Sequence, residues 1–226
     1  NGINQWLPIM DELSTQFEVF APEHPGFGRS QRPNWMRDIE DLVYHYRALF
    51  DYFGIEKALV IGHSFGGWLA AEFVINNTHR VEKLVLTAPA GLKDDRLERI
   101  DTFLLSQEQL TEKLFYSTEL AKVALEKASL PHEQESFIKN RAAYARYAWE
   151  RSYNPKLERL LKKITVPTLI VWGEQDQLIS PSFADRFAKY IQNSKVKLIS
   201  ECGHLPHIEK KEEYKRILLD FINNNN

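Results

Sequence analysis

The chain has 226 residues, of which 43% are hydrophobic and 12% aromatic, so it can bury a large core as a globular protein. Its formal net charge of −2 at pH 7 leaves no basic excess, which argues against nucleic acid or an anionic membrane as a partner. No apolar run approaches the roughly 20 residues of a membrane-spanning helix. The single cysteine, Cys202, excludes an internal disulfide and agrees with a reducing compartment.

Predicted helices and strands alternate in the first part of the chain. Apolar spacing predicts helices at Gln5–Ser14 and Asp38–Phe53, strands at Phe17–Ala21, Lys57–Ile61 and Lys83–Thr87, and a loop rich in glycine at Glu23–Ser30. A further helical pattern, which includes Trp68, follows the strand at Lys57–Ile61. This order is typical of parallel strands joined by helices.

The pattern changes in the middle of the chain and then resumes. Residues 93–163 show helical spacing and no strand pattern, which predicts an all-helical insertion. The remaining segments are predicted as strands at Thr168–Trp172 and Lys195–Ile199, helices at Pro181–Ile191 and Glu209–Ile222, and a frayed tail at Asn223–Asn226. The sequence therefore predicts an α/β fold with a mostly parallel sheet flanked by helices, its core formed by residues 1–92 and 164–226.

A serine stands between two glycines where a predicted strand meets a predicted helix. Residues 62–66 read Gly-His-Ser-Phe-Gly, and such a sharp turn exposes the Oγ of Ser64 at the carboxyl end of the strand. Glycine at 62 and 66 is expected to remove side-chain clashes there. The backbone N–H of Phe65, at the start of the helix, is the expected donor to an oxyanion. The alternative is a glycine-rich turn with no catalytic role.

Two later loops carry partners for this serine. Asp176 follows the predicted strand at Thr168–Trp172, and His204 follows the one at Lys195–Ile199. A serine hydroxyl needs an imidazole to accept its proton, and the imidazole needs a carboxylate that fixes its tautomer. Because the carboxyl ends of parallel strands share one edge of a sheet, we expect Ser64, Asp176 and His204 to meet.

Several single residues have other interpretations. Asp94 or Asp95 could supply the acid, since both follow an earlier predicted strand. His63 and His207 are expected to pack and to bind backbone atoms. His204 and His207 have a spacing that could suit a metal pair, but no third ligand is near in sequence, so no metal is expected.

The combination of HPGFGRS, GHSFGGW, VPTLIVWGEQD and CGHLPHIE resembles the α/β-hydrolase superfamily, and the order serine, acid, histidine is the order of that fold. The resemblance covers nearly the whole chain. It implies Ser64 as nucleophile, Asp176 as acid, His204 as base, no cofactor, and residues 93–163 as a helical cap. The loop Glu23–Ser30 is expected to form the floor of the site, with Glu23 in a structural role because relatives usually have aspartate there.

The same resemblance concerns the start of the chain. Relatives have a strand before the first helix, followed by a His-Gly loop that supplies a second oxyanion donor, and NGINQW resembles the remainder of that loop. We therefore expect N-terminal strands to be missing from this chain and further residues to precede Asn1. A cytoplasmic location is expected, with a targeting segment before Asn1 left open.

The expected function is a serine hydrolase that attacks an ester-like carbonyl of a small apolar or aromatic substrate through an acyl-enzyme on Ser64. A weaker resemblance, based on APAGL, the aromatic-rich cap and CGH, is to hydrolases that cleave carbon–carbon bonds of ring-fission products. That subgroup usually has asparagine at the position of His63 and often tryptophan at that of Leu205. Cofactor-free haloperoxidases or peracid-forming relatives and a non-catalytic binding module are further alternatives. Candidate pocket residues are His63, Trp68, Tyr144, Tyr147 and Leu205.

Overall fold

The computed structural model describes residues 7–97 and 100–224. In this part of the chain, four parallel strands form one sheet in the order β1 (Ala58–His63), β2 (Val81–Thr87), β3 (Thr168–Gly173) and β4 (Ser194–Ile199). The α-helices are α1 (Pro8–Ser14), α2 (Ile39–Tyr52), α3 (Phe65–Asn76), α4 (Gln107–Leu114), α5 (Thr118–Ala128), α6 (Pro131–Ala148), α7 (Leu157–Leu160), α8 (Phe183–Tyr190), α9 (Pro206–Glu209) and α10 (Lys211–Asn223). Short 3₁₀ helices cover Thr78–Arg80, Thr102–Leu104 and Leu161–Lys163. The predicted α/β class is confirmed.

Residues of β2 and β3 alternate between two apolar cores, one on each face of the sheet. The larger core, which includes α3 and α8, contains Leu84, Leu86, Ile170 and Trp172. The smaller core, which includes α1 and α10, contains Val85, Leu169 and Val171. Because successive side chains of a strand point to opposite faces, both faces of the central strands are buried.

The helix after β1 is buried almost all round. Ser64 is the N-cap residue of α3, and the helix contacts both β1 and β2. A helix that is apolar on every side belongs inside a protein rather than on its surface. Ser64 therefore lies between the end of β1 and the start of the buried helix α3.

The segment between β2 and β3 is helical, as predicted. Residues 93–97 and 100–163 contain α4 to α7 and two 3₁₀ helices, and no strand among the residues that can be described. Helix α6 is tied to the Glu23–Ser30 loop, because Asn140 Oδ1 accepts a hydrogen bond from Gly28 N–H at 2.8 Å. Leu157 of α7 is fully buried in the larger core. We propose the boundaries 93–163 for this cap.

The predicted strand at Phe17–Ala21 is wrong. In the described ranges this segment pairs with no other strand, and β1 forms the edge of the sheet. Phe17 and Phe20 are 39% and 42% exposed, and only Val19 packs against the smaller core. Alternating apolar residues give β-propensity, but a strand also needs a partner. The expectations for NGINQW fall on residues outside the described part, and a strand before Asn1 stays a prediction.

The last predicted helix, Glu209–Ile222, corresponds to α10, and a separate short helix, α9, precedes it. Helix α9 ends at Glu209, Lys210 is non-helical (φ −126°, ψ 50°), and α10 begins at Lys211. Helix α10 includes Asn223, so the frayed tail was predicted to begin too early. Its carboxyl end is held by the buried Lys83 ammonium, which donates to main-chain oxygens of Phe221, Ile222 and Asn224. Among the described helices, none is both long and apolar enough to cross a membrane.

Candidate active site

Ser64 lies in a strained turn between β1 and α3. Its φ of 53° and ψ of −118° place a residue with a Cβ in a region that favours glycine. Three main-chain hydrogen bonds hold this conformation: Ser64 N–H donates to Thr87 O at 2.9 Å, and Ser64 O accepts from Trp68 N–H at 3.1 Å and Ala90 N–H at 3.0 Å. The turn is therefore fixed by the end of β2 and the first turn of α3.

The glycines around the serine differ in what they permit. A Cβ on Gly62 would lie 2.3 Å from Gly66 O, which cannot be accommodated. Among the described residues outside its own helix turn, a Cβ on Gly66 would meet His24 Nε2 alone, at 3.9 Å. A Cβ on Gly67 would lie 2.8 Å from Pro89 Cβ. The expectation for Gly62 is confirmed, whereas the one for Gly66 is wrong, because the second close approach is at Gly67.

The three side chains from separate loops meet as expected. His204 Nε2 lies 2.9 Å from Ser64 Oγ, and His204 Nδ1 lies 2.7 Å from Asp176 Oδ2. The side chains of His204 and Asp176 are 2% and 0% exposed. With Nδ1–H donating to the carboxylate, Nε2 is free to accept the serine proton.

Four donors surround the Asp176 carboxylate. Oδ1 accepts from the backbone N–H groups of Leu178 and Ile179 at 2.8 and 3.1 Å. Oδ2 accepts from the indole N–H of Trp172 at 2.9 Å as well as from His204. A buried carboxylate needs such partners to remain charged. The rival acid Asp94 instead pairs with Arg96 and Arg186 at 2.7 and 2.8 Å.

The loop that carries His204 is held from two directions. His204 N–H donates to Leu114 O at 2.9 Å, at the end of α4 in the cap. His63 Nε2–H donates to His204 O at 2.8 Å. Burial lowers the pKa of His63 well below its usual value, with smaller contributions from His207 and His204, so its ring is neutral at pH 7. His63 therefore holds the main chain at His204 through this hydrogen bond. This agrees with the expectation that His63 packs and binds a backbone atom.

Aromatic rings surround Phe65, the residue that follows Ser64. Phe65 begins α3, where backbone N–H groups lack helical acceptors, so its N–H suits an oxyanion. Its ring contacts Tyr144 of α6, with centroids 5.2 Å apart, and His24 and Phe27 of the Glu23–Ser30 loop, at 5.9 and 6.2 Å. The expected floor loop and one expected cap residue thus lie beside Phe65.

The other candidate pocket residues have mainly packing contacts. Trp68 and Tyr147 are 2% and 5% exposed. The Trp68 indole N–H donates to Glu72 Oε1, and Tyr147 O–H donates to Pro25 O. Leu205 is buried in a small cluster with Phe115 and Ala121 of the cap.

Three residues beside the site were missed by the sequence analysis. Trp172 lies near the end of β3, four residues before Asp176, and this spacing is a signal for an indole donor there. His24 Nδ1 lies 2.6 Å from Tyr46 Oη, and burial lowers the pKa of His24 to about 4. Glu209 contacts the His204 loop and the cap, and no local pattern links it to either.

Cys202 is buried, and burial raises its thiol pKa to about 12.

A parallel sheet, a strained serine turn and a buried acid and imidazole at its edge define an α/β-hydrolase. The family model described as alpha/beta hydrolase fold matches residues 1–211, and the chain belongs to this family. It is 29% identical to 2-hydroxy-6-oxo-2,4-heptadienoate hydrolase from Pseudomonas putida over an alignment of 229 positions, which covers 96% of this chain and 82% of the relative. It is 28% identical to a monoacylglycerol lipase from Homo sapiens over an alignment of 249 positions, which covers 97% of this chain and 71% of the relative.

A solved structure is also similar to this chain. The meta-cleavage product hydrolase from Pseudomonas fluorescens matches with a TM-score of 0.79 and 28% identity, over 96% of this chain and 84% of that one. The chain is thus an α/β-hydrolase that is similar to proteins named as meta-cleavage product hydrolase and as monoacylglycerol lipase.

Proposed function

We propose that the protein is a serine hydrolase in which Ser64 attacks a carbonyl carbon, His204 moves the proton, and Asp176 orients the imidazole. The single observation that supports this most is the continuous contact from Ser64 Oγ to His204 (2.9 Å) and from His204 to Asp176 (2.7 Å). These are hydrogen-bonding distances suited to general-base activation of a hydroxyl.

The first step under this proposal uses groups already in place. His204 Nε2 accepts the Ser64 proton as Oγ bonds to the carbonyl carbon, and the imidazolium is stabilised by Asp176. The carbonyl oxygen becomes an oxyanion beside the Phe65 N–H at the positive end of α3. One such donor contributes about 10²- to 10³-fold to the rate in comparable enzymes.

We further propose that the substrate is a ring-fission product in which a ketone is joined to a hydroxydienoate. The support is the set of relatives named as meta-cleavage product or 2-hydroxy-6-oxo-dienoate hydrolases. The 2-hydroxydienoate would first tautomerise to its 2-oxo form, which moves a proton from the 2-hydroxyl group to the carbon beside the ketone. Collapse of the tetrahedral oxyanion would then break the bond between the carbonyl carbon and that neighbouring carbon. The electron pair would remain on the conjugated fragment, which takes the proton from His204. Water, deprotonated by His204, would then release the second product as a carboxylic acid.

Ester hydrolysis is the second candidate. It uses the same attack, with an alkoxide rather than a stabilised carbanion as the leaving group. The relative named monoacylglycerol lipase supports it. So do His63 and Leu205, which stand where the carbon–carbon subgroup usually has asparagine and tryptophan.

A substrate panel separates these candidates. The purified protein would be assayed with 2-hydroxy-6-oxo-2,4-heptadienoate, its 6-phenyl analogue, a short-chain nitrophenyl ester and a monoacylglycerol. We expect kcat/KM for a dienoate to exceed that for either ester by at least about 100-fold, a difference of about 2.7 kcal/mol in transition-state free energy. The opposite ranking would favour the ester candidate.

The serine itself needs its own control. We expect Ser64→Ala to lose at least about 10³-fold in kcat while retaining the fold, since Ser64 makes its fold contacts through main-chain atoms. A fluorophosphonate should label the wild-type protein on Ser64 only. Absence of turnover and labelling in the wild-type protein would instead favour a non-catalytic binding module.

A further inference from the structure

Glu209, at the end of α9, binds two segments that are distant in sequence. Its Oε1 accepts from Gly203 N–H at 2.7 Å, immediately before His204. Its Oε2 accepts from Tyr116 N–H at 2.8 Å and Ser117 N–H at 2.9 Å, between α4 and α5 of the cap. One carboxylate therefore receives three backbone donors, one from the His204 loop and two from the cap. Charge-assisted bonds of this kind are stronger than neutral ones.

The two segments are pressed closely together at this point. A Cβ on Gly203 would lie 2.8 Å from both Leu114 O and Tyr116 N, so only glycine allows this approach. His204 N–H donates to Leu114 O across the same junction. The neighbouring side chain Leu205 packs against Phe115. The position of the His204 backbone is thus set jointly with that of the cap segment 114–117.

We propose that Glu209 is a positioning residue that locks the His204 loop to the cap, so that imidazole alignment depends on how the cap is seated. This inference rests on the proposed role of His204 as base. Gly203, whose N–H donates to Glu209, directly precedes His204. A backbone rotation at Gly203 therefore moves the His204 imidazole relative to both Ser64 and Asp176. Glu209 itself touches neither Ser64 nor Asp176 among the contacts of the described residues.

Replacement by glutamine tests the carboxylate with little change in shape. In Glu209→Gln, one oxygen remains for three donors, and the amide nitrogen faces an N–H on one side of the junction. Glu212→Gln is a matched control, since Glu212 is on the adjacent helix with its side chain 77% exposed and pairs only with Lys211 and Lys215 in the described structure.

The measurements are KM and kcat, with kcat calculated per active site from the amount of Ser64 that a fluorophosphonate labels. We expect Glu209→Gln to lower kcat about 10- to 100-fold with KM changed less than threefold, because the imidazole is misaligned but the substrate site is retained. The pH dependence of kcat/KM should shift in its acidic limb. Glu212→Gln should stay within twofold of the wild type in all three measurements.

A second pair of variants removes a donor from the cap side. Ser117 has φ −73°, which suits proline, and Ser117→Pro removes the N–H that Glu209 binds. Ser117→Ala is its control, because both variants lose the hydroxyl that caps α5. We expect Ser117→Pro to lower kcat three- to tenfold below Ser117→Ala, and to have no further effect in the Glu209→Gln background.

Two results would overturn the inference: a kcat per titrated site in Glu209→Gln within twofold of wild type, or equal kcat in Ser117→Pro and Ser117→Ala. Failure of the proposed function would look different. In that case the wild-type protein would not be labelled by the fluorophosphonate, or Ser64→Ala would be as active as the wild type, and both proposals would fall.

Discussion

Trp172 donates its indole N–H to Asp176 Oδ2 at 2.9 Å, the same oxygen that lies 2.7 Å from His204 Nδ1. The tryptophan belongs to β3, and its ring is fully buried in the larger core. Its indole N–H is therefore held in place by the core and orients the carboxylate. The same N–H also lies 3.2 Å from Ile179 O. The orientation of the acid is therefore determined by the sheet as well as by its own loop.

The first prediction concerns this indole. Trp172→Phe removes the donor and leaves a ring in the core. A hydrogen bond to a charged group contributes about 1.5–3 kcal/mol, so we expect kcat/KM to fall by about tenfold or more. The smaller ring should also reduce the free energy of unfolding by about 1–3 kcal/mol. Steady-state kinetics and urea unfolding measure the two effects.

The matched control for that variant is Trp35→Phe, because Trp35 is 60% exposed. It should change neither quantity beyond about 0.5 kcal/mol. If Trp172→Phe lost stability but kept wild-type kcat/KM, the indole would be a core residue with no influence on the acid.

The second prediction ranks alanine substitutions at the serine turn. Gly66→Ala should be tolerated and should stabilise α3 by up to about 1 kcal/mol, since in the described part of the chain no atom beyond its own helix turn lies closer than 3.9 Å to its Cβ. Gly67→Ala should cost about 1–3 kcal/mol because of Pro89. Gly62→Ala should be the most damaging, since its Cβ would overlap Gly66 O. Thermal unfolding of the three variants gives the order; equal effects at 66 and 67 would contradict it.

The third prediction separates packing from substrate contact at Tyr147. Its hydroxyl donates to Pro25 O at 2.9 Å, so Tyr147→Phe leaves that carbonyl without its donor. We expect a loss of about 1 kcal/mol, or about 2–4 °C in Tm, with kcat/KM within threefold of wild type. Tyr52→Phe, at a residue 82% exposed, is the control. A tenfold fall in kcat/KM would place the Tyr147 hydroxyl on the substrate instead.

The sequence predicted the parts of the site whose positions follow from local rules. Ser64, Asp176 and His204 each follow a strand of the parallel sheet, and the carboxyl ends of such strands share one edge. Their meeting could therefore be inferred from order and spacing alone. The helical character of residues 93–163 also followed from periodicity, and Ser106 and Pro131 stand at the starts of α4 and α6.

Other features depend on contacts that no local pattern encodes. The link from Glu209 to Tyr116 and Ser117 joins segments that come together only after the cap has folded onto the sheet edge. The segment Phe17–Ala21 had strand-like alternation, yet pairing depends on which neighbour is present and not on the segment itself. The need for glycine at 67 rather than 66 depends on Pro89, which follows the next strand.

The last prediction is that stability falls as the pH drops below about 6.5. Burial is the main cause that lowers the pKa of His24 and His207 to about 4 each and that of His63 well below its usual value. All three are neutral in the folded protein, whereas in the unfolded chain each takes up a proton near pH 6.5. The unfolded state thus binds more protons between about pH 6.5 and 4. Stability is therefore fully present above this window and is lost as the pH falls through it, by up to about 1.4 kcal/mol per pH unit for each imidazole.

His207→Phe tests this directly. His207 Nδ1 is buried and has no hydrogen-bond partner among the described residues, so a phenyl ring removes the titrating group without breaking a bond seen there. Its ring contacts with His63 and Tyr214 can be kept. Urea unfolding at pH 7, 6 and 5 gives the free energy of unfolding as a function of pH. Its slope should be shallower for His207→Phe than for wild type, by the equivalent of about one proton fewer taken up on unfolding. His132→Gln, whose side chain is 73% exposed, should leave the slope unchanged. Parallel profiles for wild type and His207→Phe would show that His207 takes up its proton equally in both states.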